Sequence, residues 1–91
     1  MHALHVVVEG TVQGVGFRWF VRQEARRLGV AGWVRNLADG SVELMASGEE
    51  SAVRRLVDHV RVGPDSATVT SVRSESVQRD GTLPYPFTVL K

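Results

Sequence analysis

The spacing of apolar residues changes several times along this chain, and these changes constrain the fold more than any other feature. The segment from Leu4 to Glu9 contains three consecutive valines and ends at Gly10, a pattern typical of a buried strand. From Phe17 to Leu28 the apolar residues recur at helical spacing, and Gly29 ends that pattern. A chain of 91 residues has room for one such core. We therefore expect a single domain over residues 1–91.

The remaining patterns complete a strand, helix, strand, strand, helix, strand order. They predict strands over 30–36, 41–47 and 67–77, a helix over 49–62, and a short extra strand over 87–90. This order is that of a ferredoxin-like α+β sandwich, the split βαβ arrangement. Right-handed crossovers place both helices on one face of an antiparallel sheet. We expect the other face to be wetter and to carry Glu43 and Met45; the register of the last strand stays open.

The composition excludes several kinds of chemistry. The chain contains no cysteine, so disulfides, a cysteine nucleophile and thiolate metal sites are ruled out. Its 11 basic and 10 acidic residues give a net charge of +1, which argues against a nucleic-acid partner. No apolar run approaches the roughly 20 residues of a membrane span, and the first residues do not resemble a signal peptide. We expect a cytoplasmic monomer.

The loop between the first strand and the first helix is the most informative segment for function. It has the sequence GTVQGVGFR over residues 10–18, with three glycines in seven residues. Such a loop can direct several backbone N–H groups to one point, and the next helix adds unpaired N–H groups and a positive dipole end. Arg18 in the first helical turn opposes that dipole at about 0.3–1 kcal/mol, unless an anion lies between them. These features favour a phosphate or similar oxyanion; the alternative is a glycine-rich turn beside a solvated arginine.

Two segments resemble the motifs of the acylphosphatase family. The first is VQGVGFR at residues 12–18, and the second is GWVRNLADGSVE at residues 32–43. They occur in the order and at the separation typical of that family, whose fold has the same order of elements. The resemblance covers the chain from about Ala3 to Leu90.

The resemblance implies an enzyme that hydrolyses acyl phosphates to a carboxylate and inorganic phosphate. It implies that Arg18 binds the phosphoryl oxygens and that Asn36 orients the attacking water. It further implies that the phosphoryl group is cradled by the backbone N–H groups of Gln13, Gly14, Val15, Gly16, Phe17 and Arg18. No metal, cofactor or covalent intermediate is implied. The partners would be the small acyl phosphate and its phosphate product, with neither nucleic acid nor membrane.

The hydrolysis of an acyl phosphate requires few catalytic groups, which is consistent with the small set that the resemblance implies. The leaving carboxylate has a conjugate acid with a pKa of about 4, so it departs without a general acid. Phosphoryl transfer through a loose transition state mainly requires positioning and charge stabilisation. Two other functions stay open: a non-catalytic module that binds phosphate ligands or docks a partner, and nucleic-acid binding through the arginines of the first helix, which the net charge disfavours.

The other residues whose side chains could take part in catalysis or binding are expected to have structural roles. Trp19 is expected to be a partly exposed packing residue, and the alternative is that it lines the acyl end of the substrate. Arg35 is expected to point away from Asn36, towards solvent or a salt bridge, because neighbours along a strand alternate. The histidines lack the spacing of metal ligands, and the serines lack a paired base; the histidines are His2, His5 and His59.

Overall fold

The computed structural model describes residues 2–78 and 83–90, which form a five-stranded sheet and two helices. The predicted order of elements is confirmed, with boundaries that differ by one or two residues. The elements are β1 (His2–Thr11), α1 (Phe17–Leu28), β2 (Ala31–Asn36), β3 (Val42–Gly48), α2 (Glu50–Val62), β4 (Thr68–Ser76) and β5 (Thr88–Val89). No helix in these two ranges has the length and apolar character needed to cross a membrane.

The strands lie in the order β4-β1-β3-β2-β5. The pairs β1–β3, β1–β4 and β2–β3 are antiparallel, as expected for the ferredoxin-like arrangement. In contrast, β5 pairs parallel to β2, with Trp33 beside Thr88 and Val34 beside Val89, so the expectation of a wholly antiparallel sheet is wrong at this edge. The reason is topological. The chain reverses direction after β4 and adds its last strand at the far edge, where the neighbouring strand already runs the same way.

Both helices bury their apolar residues in one core, against alternate residues of β1, β2 and β3. Val21 and Ala25 of α1 and Leu56 of α2 are fully buried there. Their spacing places them on the inner face of each helix. Phe87, just before β5, is also fully buried, and its carbonyl accepts a hydrogen bond from Arg26 Nε at 2.9 Å. The last segment is thereby attached to the same core.

The outer face of the sheet is more covered than the sequence predicts. Met45 was expected on a wet face, but only 4% of it is exposed. It is flanked in register by His5 on β1 and Trp33 on β2. Directly opposed side chains have Cβ atoms about 4.5–5.5 Å apart, so such neighbours can shield a flexible methionine from water.

The sheet topology determines which loops meet. Because β1 and β2 both run antiparallel to β3, they are parallel to each other, and their carboxyl ends lie at the same end of the sheet. Only β3 separates them, which corresponds to about 10 Å. The loop that follows β1 and the last residue of β2, Asn36, are therefore brought to one end of the sheet.

Candidate active site

The loop between β1 and α1 is held in the core at both ends, and its central glycines have left-handed backbone conformations. Val12 and Phe17 are each only 1% exposed and belong to the core. Between them, Gly14 and Gly16 have φ angles of 74° and 78°. This region is costly for residues with a Cβ, so glycine at both positions allows the chain to turn sharply into α1.

The backbone donors of this loop are available to a ligand as far as the described residues are concerned. In the described part of the chain, no acceptor pairs with the N–H groups of residues 13–19. The first backbone bond of α1 runs from the Phe20 N–H to the Gly16 carbonyl, at 3.0 Å. The helix has neither a side-chain cap at its N-terminus nor an acidic residue in its first turn. Free N–H groups and a positive dipole end together form a potential anion site.

The side chain of Gln13 connects this loop to the turn between β2 and β3. Its Nε2 donates to the Leu37 carbonyl at 2.7 Å and to the Ser41 carbonyl at 2.9 Å. The sequence predicts a role only for the Gln13 backbone and gives no sign of this side-chain contact. The acceptors are 24 and 28 residues away, so no local spacing pattern could have indicated them.

The turn that receives Gln13 is itself closed by hydrogen bonds. The Leu37 N–H donates to the Ser41 carbonyl at 2.9 Å, and the Gly40 N–H donates to the Leu37 carbonyl at 3.2 Å. The Asp39 carboxylate accepts hydrogen bonds from the Ser41 hydroxyl and the Ser41 N–H, and these bonds hold the pKa of Asp39 below its ordinary value. Asn36 directly precedes this hydrogen-bonded turn, which limits the positions open to it.

The loop, Arg18 and Asn36 surround one cleft of about 460 Å³. The cleft is lined by Val12, Gly14, Gly16, Phe17, Arg18, Trp19, Arg22, Asn36 and Val89. Of the loop residues predicted to cradle a phosphoryl group, Gln13 and Val15 do not line it. Val15 packs partly against the core, and its carbonyl accepts a hydrogen bond from Ser66 Oγ at 2.9 Å.

Asn36 has an unsatisfied polar atom at the wall of this cleft. Among the residues described, its Oδ1 is the one buried side-chain polar atom that lacks a hydrogen-bond partner. Leaving such an atom unpaired costs about 1–3 kcal/mol. A donor that reaches the amide, directly or after the amide turns about χ2, would remove that cost. Native structures contain few such atoms, and their presence requires an explanation.

Comparison with known proteins adds an independent observation. A sequence model of the acylphosphatase family matches residues 4–88. The chain belongs to the acylphosphatase family. It is 51% identical over 81 residues to an acylphosphatase of Thermotoga petrophila, covering 89% of this chain and 90% of that protein. It is 46% identical to one of Rhizobium etli, covering 96% and 92% of the two chains.

A solved structure supports the same assignment. The crystal structure of acylphosphatase from Bacillus subtilis superposes on this chain with a TM-score of 0.92. The two sequences are 37% identical, and the match covers 100% of both chains. The ferredoxin-like α+β fold expected from the order of elements is thereby confirmed.

In this acylphosphatase family member, the position of Trp19 favours the second of its two expected roles, that of lining the cleft. It is 58% exposed and lines the cleft. The guanidinium carbon of Arg22 lies 4.6 Å from the centre of its ring, a cation–π contact. The cleft therefore has two arginines on one wall, Arg18 near the loop and Arg22 one helical turn further along.

Arg35 points away from the cleft, as predicted, and forms a salt bridge on the outer face of the sheet. Its Nε lies 2.7 Å from Glu43 Oε1, and His5 Nε2 lies 2.6 Å from Glu43 Oε2. Burial by itself would raise the pKa of Glu43. The hydrogen bonds from His5 and Arg35 outweigh that effect and hold the pKa below its ordinary value. The side chains of the adjacent residues Arg35 and Asn36 thus lie on opposite faces of the sheet.

The histidines whose side chains are described have acidic partners away from the cleft. His5 pairs with Glu43, and His59 Nε2 lies 3.6 Å from Glu24 Oε1. The side chain of His2 lies outside the described part of the structure. Within that part, no three His, Asp or Glu side chains come together in the way that a metal ion requires.

Proposed function

We propose that this member of the acylphosphatase family hydrolyses acyl phosphates in the cleft between the loop of residues 13–18 and Asn36. One observation carries the proposal: unpaired backbone N–H groups, the Arg18 side chain and the unsatisfied Asn36 amide belong to the same cleft. Family membership supports the reaction. The cleft supports the roles of individual residues.

In this proposal the phosphoryl group binds at the N-terminus of α1. Its oxygens accept hydrogen bonds from N–H groups of the loop residues that line the cleft, Gly14, Gly16, Phe17 and Arg18. The Arg18 guanidinium binds two of the oxygens in a fork. An anion placed there also offsets the unfavourable position of Arg18 in the first turn of the helix.

Asn36 orients the water that attacks phosphorus. The water oxygen forms a bond to phosphorus, the bond between phosphorus and the acyl oxygen breaks, and the carboxylate leaves with the electron pair. The proton of the water passes to the phosphate that is formed. Because the leaving group is a stable anion, the reaction needs no proton donor, and the site mainly provides position and positive charge.

We propose further that the enzyme acts as a cytoplasmic monomer without a metal or cofactor. The support is that Arg18, Asn36 and the loop all come from one chain, so one copy holds the whole site. The mass in solution, measured by light scattering, checks the first point. Retention of full activity after treatment with a chelator checks the second, whereas loss of activity that added metal restores would contradict it.

The experiment that tests the mechanism is release of phosphate from benzoyl phosphate. The variants are Arg18→Ala and Asn36→Ala, and Arg55→Ala is the matched control because Arg55 lies exposed on α2, away from the cleft. Arg18→Ala is expected to lower kcat by at least about 10²-fold, as for a lost oxyanion donor. Asn36→Ala should also lower kcat, and the control should behave as the unmodified protein.

The result that contradicts the mechanism is full activity in a folded Arg18→Ala variant, with folding checked by circular dichroism. A protein that binds phosphate but releases none from benzoyl phosphate would instead be a non-catalytic binding module. Calorimetric titration with inorganic phosphate separates these outcomes, because it measures binding without turnover.

A further inference from the structure

We infer that Trp19 and Arg22 form a subsite for the acyl group, and that this subsite favours acyl groups with a second negative charge. This inference rests on the proposed function, since it names the class of substrate for the same cleft. The expected ligand is an acyl phosphate whose acid part also carries a carboxylate or a phosphate.

The position of Arg22 relative to Arg18 is the first argument. The two residues are four apart on α1, so they lie on the same face, with about 6 Å of helix rise between them. Both line the cleft. Like charges at this spacing destabilise a helix slightly, and an anion bound beside each of them would offset that cost. The phosphoryl group at the loop accounts for Arg18 only.

The lack of a carboxylate partner is the second argument. Among the residues described, Arg27, Arg35 and Arg54 each form a salt bridge with a carboxylate. Within the same part of the chain, neither Arg18 nor Arg22 has such a partner. Other arginines of that part, namely Arg26, Arg55, Arg61 and Arg73, also lack one, but they do not line the cleft. The guanidinium of Arg22 is therefore available to an anionic ligand.

The contact with Trp19 is the third argument. A guanidinium stacked on an aromatic ring keeps its N–H groups in its own plane, where they can still bind a carboxylate in a fork. The ring at 4.6 Å restricts the guanidinium and so lowers the entropy lost when it binds an anion. The exposed indole also offers an apolar surface to the carbon skeleton of the acyl group.

The size of the cleft is compatible with this extension. Its volume of about 460 Å³ exceeds what one phosphoryl group requires and falls within the range of sites for small molecules. Val89 of β5 contributes an apolar side chain to the cleft. The lining of the cleft thus combines apolar surface from Trp19 and Val89 with the charge of Arg22.

The test compares two rigid substrates that differ by one carboxylate, benzoyl phosphate and 3-carboxybenzoyl phosphate. The measured quantity is the ratio of kcat/KM for the carboxylated substrate to kcat/KM for the plain one. Arg22→Gln removes the charge and keeps most of the side-chain length. Arg55→Gln on α2 changes the net charge equally and does not touch the cleft, so it is the matched control.

We expect Arg22→Gln to lower this ratio about tenfold, the lower end of what a hydrogen bond between charged groups contributes. Arg55→Gln should leave the ratio unchanged. An unchanged ratio in Arg22→Gln, or an equal fall in both variants, would overturn the subsite. If the unmodified protein hydrolyses neither substrate, the proposed function itself fails. If it hydrolyses both and only the ratio is insensitive to Arg22→Gln, the subsite alone fails.

Discussion

Replacing Gln13 by alanine should uncouple the loop from the turn that carries Asn36. The Gln13 amide makes two hydrogen bonds, at 2.7 Å to the Leu37 carbonyl and at 2.9 Å to the Ser41 carbonyl. Each such bond contributes about 0.5–1.5 kcal/mol net, which gives roughly 1–3 kcal/mol for the pair.

The structure reduces this figure. Both acceptors keep a backbone donor after the substitution, since the Gly40 N–H still reaches the Leu37 carbonyl and the Leu37 N–H still reaches the Ser41 carbonyl. No buried carbonyl is left unpaired, so the penalty for an orphaned group does not apply. We expect Gln13→Ala to destabilise the protein by about 1–2 kcal/mol, which lowers Tm by roughly 5–10 °C for a domain of this size.

The activity should change more than a purely structural role allows. The loop holds the phosphoryl group and Asn36 holds the water, so a shift of one relative to the other moves the nucleophile off line. Misplacement by about 1 Å can cost up to about 10²-fold in rate. We expect kcat to fall about tenfold in Gln13→Ala, measured on benzoyl phosphate well below Tm, while KM changes less.

The control is Gln23→Ala, because Gln23 lies exposed on α1 and does not line the cleft. It should change neither Tm nor kcat. Gln13→Glu should be less stable than Gln13→Ala near neutral pH, because a carboxylate then faces two carbonyl oxygens, and it should recover in acid as the carboxyl gains a proton. A loss of Tm without a loss of kcat in Gln13→Ala would refute the coupling. No loss of either would show that the two hydrogen bonds contribute nothing.

Three other outcomes can be measured directly. Gly16→Ala should cost about 1–2 kcal/mol in urea unfolding and lower kcat: its φ is 78°, and nothing within 4 Å meets the added Cβ, so the cost is backbone strain at the loop. Glu43→Gln should be less stable than the unmodified protein at neutral pH, and the difference should disappear in acid. The pKa of Glu43 is lower in the folded protein than in the unfolded chain, so its ionised carboxylate stabilises the fold at pH values above the unfolded pKa. This stabilisation is lost as the pH falls through the folded pKa. The value of kcat should not change with pH near about 6.5, the ordinary pKa of a histidine, because no histidine lines the cleft, whose charged and amide side chains are Arg18, Arg22 and Asn36. A change of kcat near that pH that the titration of the substrate does not explain would contradict this prediction.

The sequence predicts those parts of the fold that depend on nearby residues. The end of α1 is an example: Gly29 has a φ of 72° and its N–H bonds back to the helix, a local arrangement that a glycine after an apolar stripe indicates. The direction of Arg35 is another, because alternation along a strand decides it. The juxtaposition of the loop and Asn36 also follows from the order of elements, since that order makes β1 and β2 parallel.

Features set by distant residues could not be predicted in this way. The parallel pairing of β5 with β2 depends on which sheet edge the last segment reaches. The burial of Met45 depends on its cross-strand neighbours His5 and Trp33, which the pattern of one strand does not reveal. The two bonds of the Gln13 side chain depend on the turn conformation and on the relative position of two strands.

The placement of charge explains how a nearly neutral protein can serve an anionic substrate. The net charge is only +1, but the charged side chains that line the cleft are both arginines, and the free N–H groups of the loop add to the same positive field. On the two helices, Glu24 pairs with Arg27 and Glu50 pairs with Arg54, away from the cleft. Substrate binding thus depends on a local concentration of donors rather than on overall charge. Since acyl phosphate hydrolysis needs no proton donor for its leaving group, such a site can work with one amide as its remaining polar side chain.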